Sequence, residues 1–113
     1  MNVSIQKIVN AVNMYIERDA MNVAVKMQGV DQFLYGFKLG LIKERASAYI
    51  TNILSGEGAK MAGITNEDGT VDVDVLYNAA KYSISKMSEK KIKVLGFLLD
   101  ETDIDKLYNY ARS

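Results

Sequence analysis

The pattern that decides the fold lies in residues 4–27, which read SIQKIVNAVNMYIERDAMNVAVKM. Apolar side chains recur there at spacings of four and three, which is the period of one face of an α-helix. These side chains are Ile5, Val9, Val12, Ile16, Ala20, Val23 and Met27. Ser4 stands where an N-cap is expected, and Gly29 follows as a stop. The stretch therefore predicts one long helix from Ser4 to Met27.

A second stretch, from Gln32 to Leu54, has the same helical period, with Asp31 as its expected cap. One apolar stripe consists of Tyr35, Leu39, Ile42, Ala46, Tyr49 and Ile53, and another of Leu34, Phe37 and Leu41. A helix that is apolar on two sides needs cover on both, and a second subunit would supply it. We therefore predict a subunit interface made of Leu34, Tyr35, Phe37, Leu41 and Tyr49.

Glycines interrupt the helical pattern between Ser55 and Gly63, where three of the nine residues are Gly. Such clusters break helices and mark connections. The length of 113 residues suits one domain with one core. We therefore expect a single domain over residues 1–113, with a helical hairpin in 1–55 and an α+β part in 56–113.

The C-terminal part carries shorter patterns. Asp68-Gly69 is a hairpin-type turn signal between two short alternating segments. Helical spacing predicts a helix from Asp72 to Met87 and a last helix from Asp103 to Ala111, while Lys91–Leu98 is typical of a strand. The predicted fold class is therefore mainly α: a long N-terminal helical hairpin followed by a small α+β part with short strands and two short helices.

A nine-residue segment recurs 31 positions later in the chain. Asp72–Ala80 reads DVDVLYNAA and Asp103–Ala111 reads DIDKLYNYA, so six positions are identical. Carboxylates at the N-cap and in the first turn stabilise a helix start. The repeat therefore predicts two similar helix starts with Leu and Tyr at the same depth on an inner face. Thr102 and Asp105 are expected to form a capping box at the second start.

The order Asp-Gly-x-Val-Asp-Val-Asp-x-Leu-Tyr, followed later by Asp-Ile-Asp-x-Leu-Tyr-Asn, resembles small uncharacterised proteins of bacteriophages and prophages in low-GC Gram-positive bacteria. The resemblance covers Ile64 to Ala111, and the N-terminal half has none. It implies a phage or prophage origin. It implies no activity and no site residues.

The composition excludes several kinds of chemistry, because the chain has no Cys and no His. Disulfides, thiolate catalysis and Cys-ligated metals are excluded, and the commonest near-neutral base and metal ligand is missing. No nucleophile stands beside a recognisable base. The sequence therefore predicts a protein that is not an enzyme, with no catalytic, cofactor-binding or metal-binding residues and no cofactor.

Fourteen basic and fourteen acidic side chains give a formal net charge of +0. A nucleic-acid partner is not expected, because binding to phosphates needs a basic face. The most apolar run, Phe33–Ile42, is far shorter than the roughly 20 residues of a membrane span, so no membrane partner is expected either. Without a signal-peptide pattern, we expect a cytoplasmic protein, in the host cell if it is phage-encoded.

These observations are compatible with three functions. The first is a non-enzymatic homo-oligomer, dimeric or larger, that mediates protein–protein interaction. The second is a phage-encoded inhibitor of a host defence or regulatory system, which blocks a host protein or sequesters a small nucleotide messenger. Lys43, Arg45 and Tyr49 have the helical spacing for such a nucleotide.

The third is a carboxylate- and metal-dependent enzyme that uses the paired acids Asp72 and Asp74, or Asp103 and Asp105. Capping and turn roles explain the same acids more simply.

Overall fold

The protein is mainly helical, as the periodicity predicts, with two short antiparallel β pairs. The structure is a computed structural model that describes residues 1–20, 32–94 and 97–113, and for residues 20, 32–39, 93–94 and 97–98 it describes the backbone alone. The described elements are β1 (Asn2–Val3), α1 (Ile5–Tyr15), α2 (Gln32–Ser55), α3 (Glu57–Met61), β2 (Val71–Asp72), α4 (Val73–Lys86), β3 (Ile92–Val94), β4 (Phe97–Leu99) and α5 (Glu101–Arg112).

Helix α1 begins where the sequence predicts. The Ser4 hydroxyl oxygen accepts a hydrogen bond from the backbone N–H of Lys7 at 3.1 Å, which satisfies one free donor of the first turn. The buried side chains of α1 are Ile8, Val9, Ala11 and Tyr15. Of these only Val9 belongs to the predicted stripe, whose Ile5 and Val12 are half-buried, so the face of α1 that packs against the core is shifted from the predicted one.

The α-helical geometry ends at Tyr15, earlier than the periodicity predicts. A π-helical turn over Ile16–Ala20 continues it, and in such a turn the hydrogen bonds reach one residue further along the chain. Apolar spacing alone does not reveal this change of helical geometry. The remainder of the predicted helix, with Gly29 and Asp31, lies outside the described residues.

Helix α2 confirms the second prediction to within one residue, since it spans Gln32–Ser55. It runs antiparallel to α1: Leu54 near its end shares a core cluster with Ile8, while Lys43 forms an ion pair with Glu17 beyond the end of α1. The two helices pack along each other as the predicted N-terminal hairpin.

The glycine-rich junction after α2, predicted as a break between helices, contains a short helix of its own. The short helix α3 fills it, and Gly63 follows with a φ of +74°, which glycine adopts without strain. The buried Thr65 donates its hydroxyl to the Leu54 carbonyl oxygen at 2.6 Å. This bond satisfies a carbonyl that the end of α2 leaves free.

The Asp68-Gly69 turn forms as predicted. Gly69 has a φ of +86°, and an Asp68 carboxylate oxygen accepts the backbone N–H of Thr70 at 2.9 Å. The turn brings Thr65 opposite Val71 in an antiparallel bridge. Val71 then begins β2, whose partner is β1 at the start of the chain, with Val3 opposite Val71 and Asn2 opposite Asp72.

The predicted strand over Lys91–Leu98 is instead two strands. β3 and β4 pair antiparallel, with Ile92 opposite Leu99 and Val94 opposite Phe97. A run that is apolar almost throughout gives no alternation by which a reversal of direction is recognised. The C-terminal part therefore contains a β-hairpin where one strand was expected.

Buried residues from both parts of the chain form the core. The first cluster contains Ile8 and Ala11 of α1 together with Leu54, Val71, Val73 and Ala111. The second contains Tyr15, Ile16 and Ala46, with Leu99 and Leu107 packed against it. The helical hairpin and the α+β part thus bury their apolar faces against each other. None of the described helices is long and apolar enough to cross a bilayer.

Candidate functional site

The two copies of the repeated segment contact each other through equivalent residues. Tyr77 of α4 and Tyr108 of α5 stack with their ring centroids 4.2 Å apart and an interplanar angle of 33°. The Tyr77 hydroxyl donates to an Asp105 carboxylate oxygen at 2.6 Å, and the Tyr108 hydroxyl donates to Asp74. Each copy therefore supplies the tyrosine to one hydrogen bond and the aspartate to the other.

The equivalence extends one turn beyond the repeat. The Lys81 ammonium lies 5.4 Å from the Tyr77 ring centroid, and the Arg112 guanidinium lies 4.7 Å from the Tyr108 ring centroid. Positions 81 and 112 are again 31 residues apart. Lys81 also pairs with Asp105 at 3.1 Å. The contacts between the segments show that α4 and α5 run antiparallel. A local pseudo-two-fold axis between the rings of Tyr77 and Tyr108 relates one segment to the other.

The hydrogen bonds shift the ionisation of both partners. The bond from Tyr108 holds the pKa of Asp74 below its usual value, and the bonds from Tyr77 and Lys81 do the same for the pKa of Asp105. The bond to Asp105 raises the pKa of Tyr77 and the bond to Asp74 raises the pKa of Tyr108, because only the neutral phenol donates. The paired acids thus act as acceptors for tyrosine.

The two helix starts differ, although their sequences are alike. Asp72 is the N-cap of α4, and its carboxylate accepts the backbone N–H groups of Asp74 and Val75. Its counterpart Asp103 lies inside the first turn of α5, where it forms a capping box with the N-cap Asp100. The prediction of a box between Thr102 and Asp105 is therefore wrong, since α5 begins with Glu101.

Two further tyrosine–aspartate bonds join the N-terminal helix to α5. The Tyr15 hydroxyl donates to an Asp103 carboxylate oxygen at 2.8 Å, and the Tyr110 hydroxyl donates to Asp19 at the same distance. Burial raises the pKa of Tyr15, and the bond to Asp103 adds to the rise. Four tyrosine hydroxyls in the described part of the chain are thus held by aspartates.

These bonds frame an apolar cavity of about 240 Å³ that opens to solvent between the helical hairpin and the α+β part. Tyr15, Tyr77 and Tyr108 contribute to its wall, together with apolar residues of α1, α2, α4, α5 and the β-hairpin. Among the side chains that the structure describes, no charged one lines it. Because aspartates hold the three hydroxyls, the tyrosines contribute rings to the wall of the cavity.

Small side chains create this space. Ala11, Ala46, Ala80 and Ala111 all line the cavity, and three of them are at most 5% exposed. Larger side chains at these positions would fill the space, so the alanines leave the cavity open to solvent.

The structure describes the side chains of two of the five residues that were predicted to form a subunit interface, Leu41 and Tyr49. Leu41 is 50% exposed and Tyr49 42% exposed, and Ile53 on the same helix is 47% exposed. With the exposed Arg45 these residues recur every four positions and form one row, the α2 ridge (Leu41, Arg45, Tyr49 and Ile53). The side chains of Leu34, Tyr35 and Phe37 lie outside the described ones.

The residues suggested for a nucleotide are not gathered at one point. Lys43 is half-buried, and its ammonium pairs with Glu17 of the hairpin. Arg45 and Tyr49 face solvent on the α2 ridge. Tyr49 also contributes to the wall of the cavity, so it lies where the ridge and the cavity meet. Sequence spacing assigned Tyr49 and Ile53 to one stripe with Ala46, which is buried, and Leu41 to another, so the ridge joins residues of two predicted stripes. The cavity has no local sequence signal.

Comparison with known proteins identified no relative: no protein family, no curated protein and no solved structure matches this chain significantly.

Proposed function

We propose that the protein is a non-enzymatic protein-interaction module that forms a homodimer through the α2 ridge. The observation that carries this proposal is the exposure of Leu41, Tyr49 and Ile53, each between 42% and 50%, in one row on one helix. Contiguous exposed apolar side chains with a polar rim are typical of protein interfaces. A phage or prophage origin belongs to the same proposal, and it rests on the resemblance of residues 64–111 alone.

A second copy of this chain is the partner that the ridge fits, because the ridge is complementary to itself. Antiparallel pairing about a two-fold axis at the level of residue 47, midway between Arg45 and Tyr49, brings Leu41 against Ile53 of the second copy. The same pairing brings Arg45 over Tyr49 of the second copy, a cation–π contact of the kind that this chain already makes at Tyr77 and Tyr108. Ala48, next to this midpoint, is small and exposed, so the helices approach closely near the axis.

Sedimentation equilibrium on the full chain at micromolar concentration tests the proposal. We expect a dimer for the wild type and a monomer for Leu41→Arg and Ile53→Arg, because each puts two like charges into the symmetric interface. Tyr82→Arg is the matched control, since Tyr82 is 65% exposed but lies on α4, and it should remain dimeric. A monomeric wild type would overturn the proposal, and so would a Leu41→Arg dimer as stable as that of the wild type.

Cysteine cross-linking tests the position of the axis, because the chain has no Cys of its own. Under mild oxidation Ala48→Cys should form a covalent dimer, since the two copies of this residue lie close together near the axis. Ser83→Cys, at an exposed position of α4, should not. Equal cross-linking of both variants would contradict an interface centred on α2.

A further inference from the structure

The wall of the cavity has the chemistry of a binding site for uncharged molecules. Tyr15 and Tyr77 present rings to it while their hydroxyls are held by Asp103 and Asp105 at 2.8 and 2.6 Å. The cavity opens to solvent, but water inside it would find few hydrogen-bond partners, so an apolar molecule that displaces this water binds favourably. A charged group inside would lose its hydration without gaining a partner.

The walls are formed by residues that are already fixed in the core. Ala46 is 1% exposed and Ile16 is 3% exposed, and Val73 on the opposite side is 2% exposed. These side chains belong to the two core clusters that join the helical hairpin to the α+β part. A ligand would therefore enter a site that is largely formed before it binds, which lowers the entropy lost on binding.

The volume sets the size of the ligand. A dry protein cavity of about 150 Å³ binds benzene, which has six non-hydrogen atoms. In proportion, 240 Å³ accommodates about ten such atoms. Larger residues in place of Ala80 or Ala111 would have filled this space from within the chain. The alanines leave room for a molecule of that size.

We propose that the cavity between the helical hairpin and the α+β part is a binding site for an uncharged apolar molecule of about ten non-hydrogen atoms, such as a short alkyl chain or an alkyl-substituted ring. The described walls of the site come from one chain, and Tyr49 is the wall residue that also lies on the α2 ridge.

Titration calorimetry of the full chain with n-alkylbenzenes, from benzene to n-hexylbenzene, tests this site. Each added methylene should strengthen binding about fourfold until the cavity is full, because burial of a methylene contributes a constant free energy. The gain should stop near n-butylbenzene, which has ten carbons. No binding by any member of the series would overturn the proposal, and so would an increase that continues unchanged to the longest chain.

Substitutions at two neighbouring alanines of α4 test whether the ligand binds in the cavity. Ala80 lines the cavity and its neighbour Ala79 does not, although both are half-buried. Ala80→Leu should weaken n-butylbenzene binding at least tenfold, while Ala79→Leu adds the same volume elsewhere and should leave it unchanged. Equal affinity in Ala80→Leu and wild type would refute this location.

Because Ala80→Leu is able to disturb folding, a measurement on the wild type complements it. Nuclear Overhauser contacts from bound n-butylbenzene should reach the methyl groups of Ile104 and Leu107, which line the cavity. Contacts to Ile53 or Met61 instead, which are both exposed, would identify non-specific surface binding and contradict the proposal.

Discussion

The rings of Tyr77 and Tyr108 stack with centroids 4.2 Å apart, and the two residues occupy the same position in segments that are 31 residues apart. Each hydroxyl reaches across to the aspartate of the other segment, Asp105 or Asp74. A repeat that suggests two similar helix starts is thus better explained by the contact between its copies. Identical residues are needed because each contact is made twice around one pseudo-two-fold axis.

This reciprocity predicts which substitutions are coupled. Tyr77→Phe removes and Asp105→Asn weakens the same hydrogen bond, because an amide oxygen is a poorer acceptor than a carboxylate oxygen. The combined effect on the unfolding midpoint should therefore be smaller than the sum of the single effects. Tyr77→Phe and Asp74→Asn affect two different bonds, and their effects should come closer to adding. Each single effect should be a modest fall in the midpoint, since these groups are only partly shielded from water. Thermal unfolding of the four single variants and four pairs measures this.

The outcome for the other half of the motif follows by symmetry. Tyr108→Phe with Asp74→Asn should be coupled, and Tyr108→Phe with Asp105→Asn should come closer to adding. If the matched and crossed pairs gave the same coupling, the reciprocal arrangement of the two segments would be wrong.

The start of α5 gives a prediction with an internal control. Asp100→Ala should lower the free energy of unfolding by about 1 kcal/mol, because it removes the carboxylate that accepts the Asp103 N–H at 3.0 Å. Thr102→Ala should change it by less than about 0.5 kcal/mol, as for other exposed sites without a special role. Urea denaturation measures both. A larger loss for Thr102→Ala would support the box that the sequence suggests.

Two exposed glycines should respond in opposite directions to the same substitution. Gly69→Ala should lower the free energy of unfolding by about 1 kcal/mol or more, because alanine is strained at a φ of +86°. Gly58→Ala should raise it by about 0.5–1 kcal/mol, since Gly58 lies within α3 and a Cβ there meets nothing within 4 Å. Urea denaturation curves for both variants distinguish these cases. A loss of stability in Gly58→Ala would contradict the assignment of α3.

Local signals in the sequence were sufficient for the elements that depend on local forces. The second helix and α4 were predicted closely, because apolar periodicity and the Asp72 cap act within a few residues. The Asp68-Gly69 turn was predicted for the same reason, since only glycine takes its backbone angle without strain. On the α2 ridge the same periodicity identified Leu41 and Tyr49 as exposed.

Contacts between distant parts of the chain were not accessible in this way. The pairing of Val3 with Val71 spans most of the chain, and two strands of two residues each carry no alternation to recognise. The bond between Tyr15 and Asp103 joins residues 88 positions apart. The cavity follows from such contacts, because its walls come from elements scattered along the sequence. Of the long-range contacts named here, the sequence indicates only the two tyrosine–aspartate bonds between α4 and α5, because the repeat has Tyr and Asp at matching positions.

The tyrosine–aspartate bonds also predict how the protein responds to alkaline pH. Tyr15, Tyr77, Tyr108 and Tyr110 each have a raised pKa, mainly through burial for Tyr15 and through the bond to an aspartate for the other three. Their contribution to stability is complete below the unfolded-state value of about 10. It is lost as the pH rises through the raised folded-state values, because only the neutral phenol donates.

Ultraviolet difference spectroscopy of tyrosinate formation measures this response. In denaturant all seven tyrosines should ionise at about pH 10. In the native protein part of the absorbance change should occur at higher pH, because the aspartates, and burial for Tyr15, keep four of the phenols neutral. Asp105→Asn should bring the pKa of Tyr77 back toward its ordinary value, because the negative acceptor is removed, and Asp74→Asn should do the same for Tyr108. Native and denatured titration curves that superimpose would show that the four hydroxyls are not held by aspartates in solution.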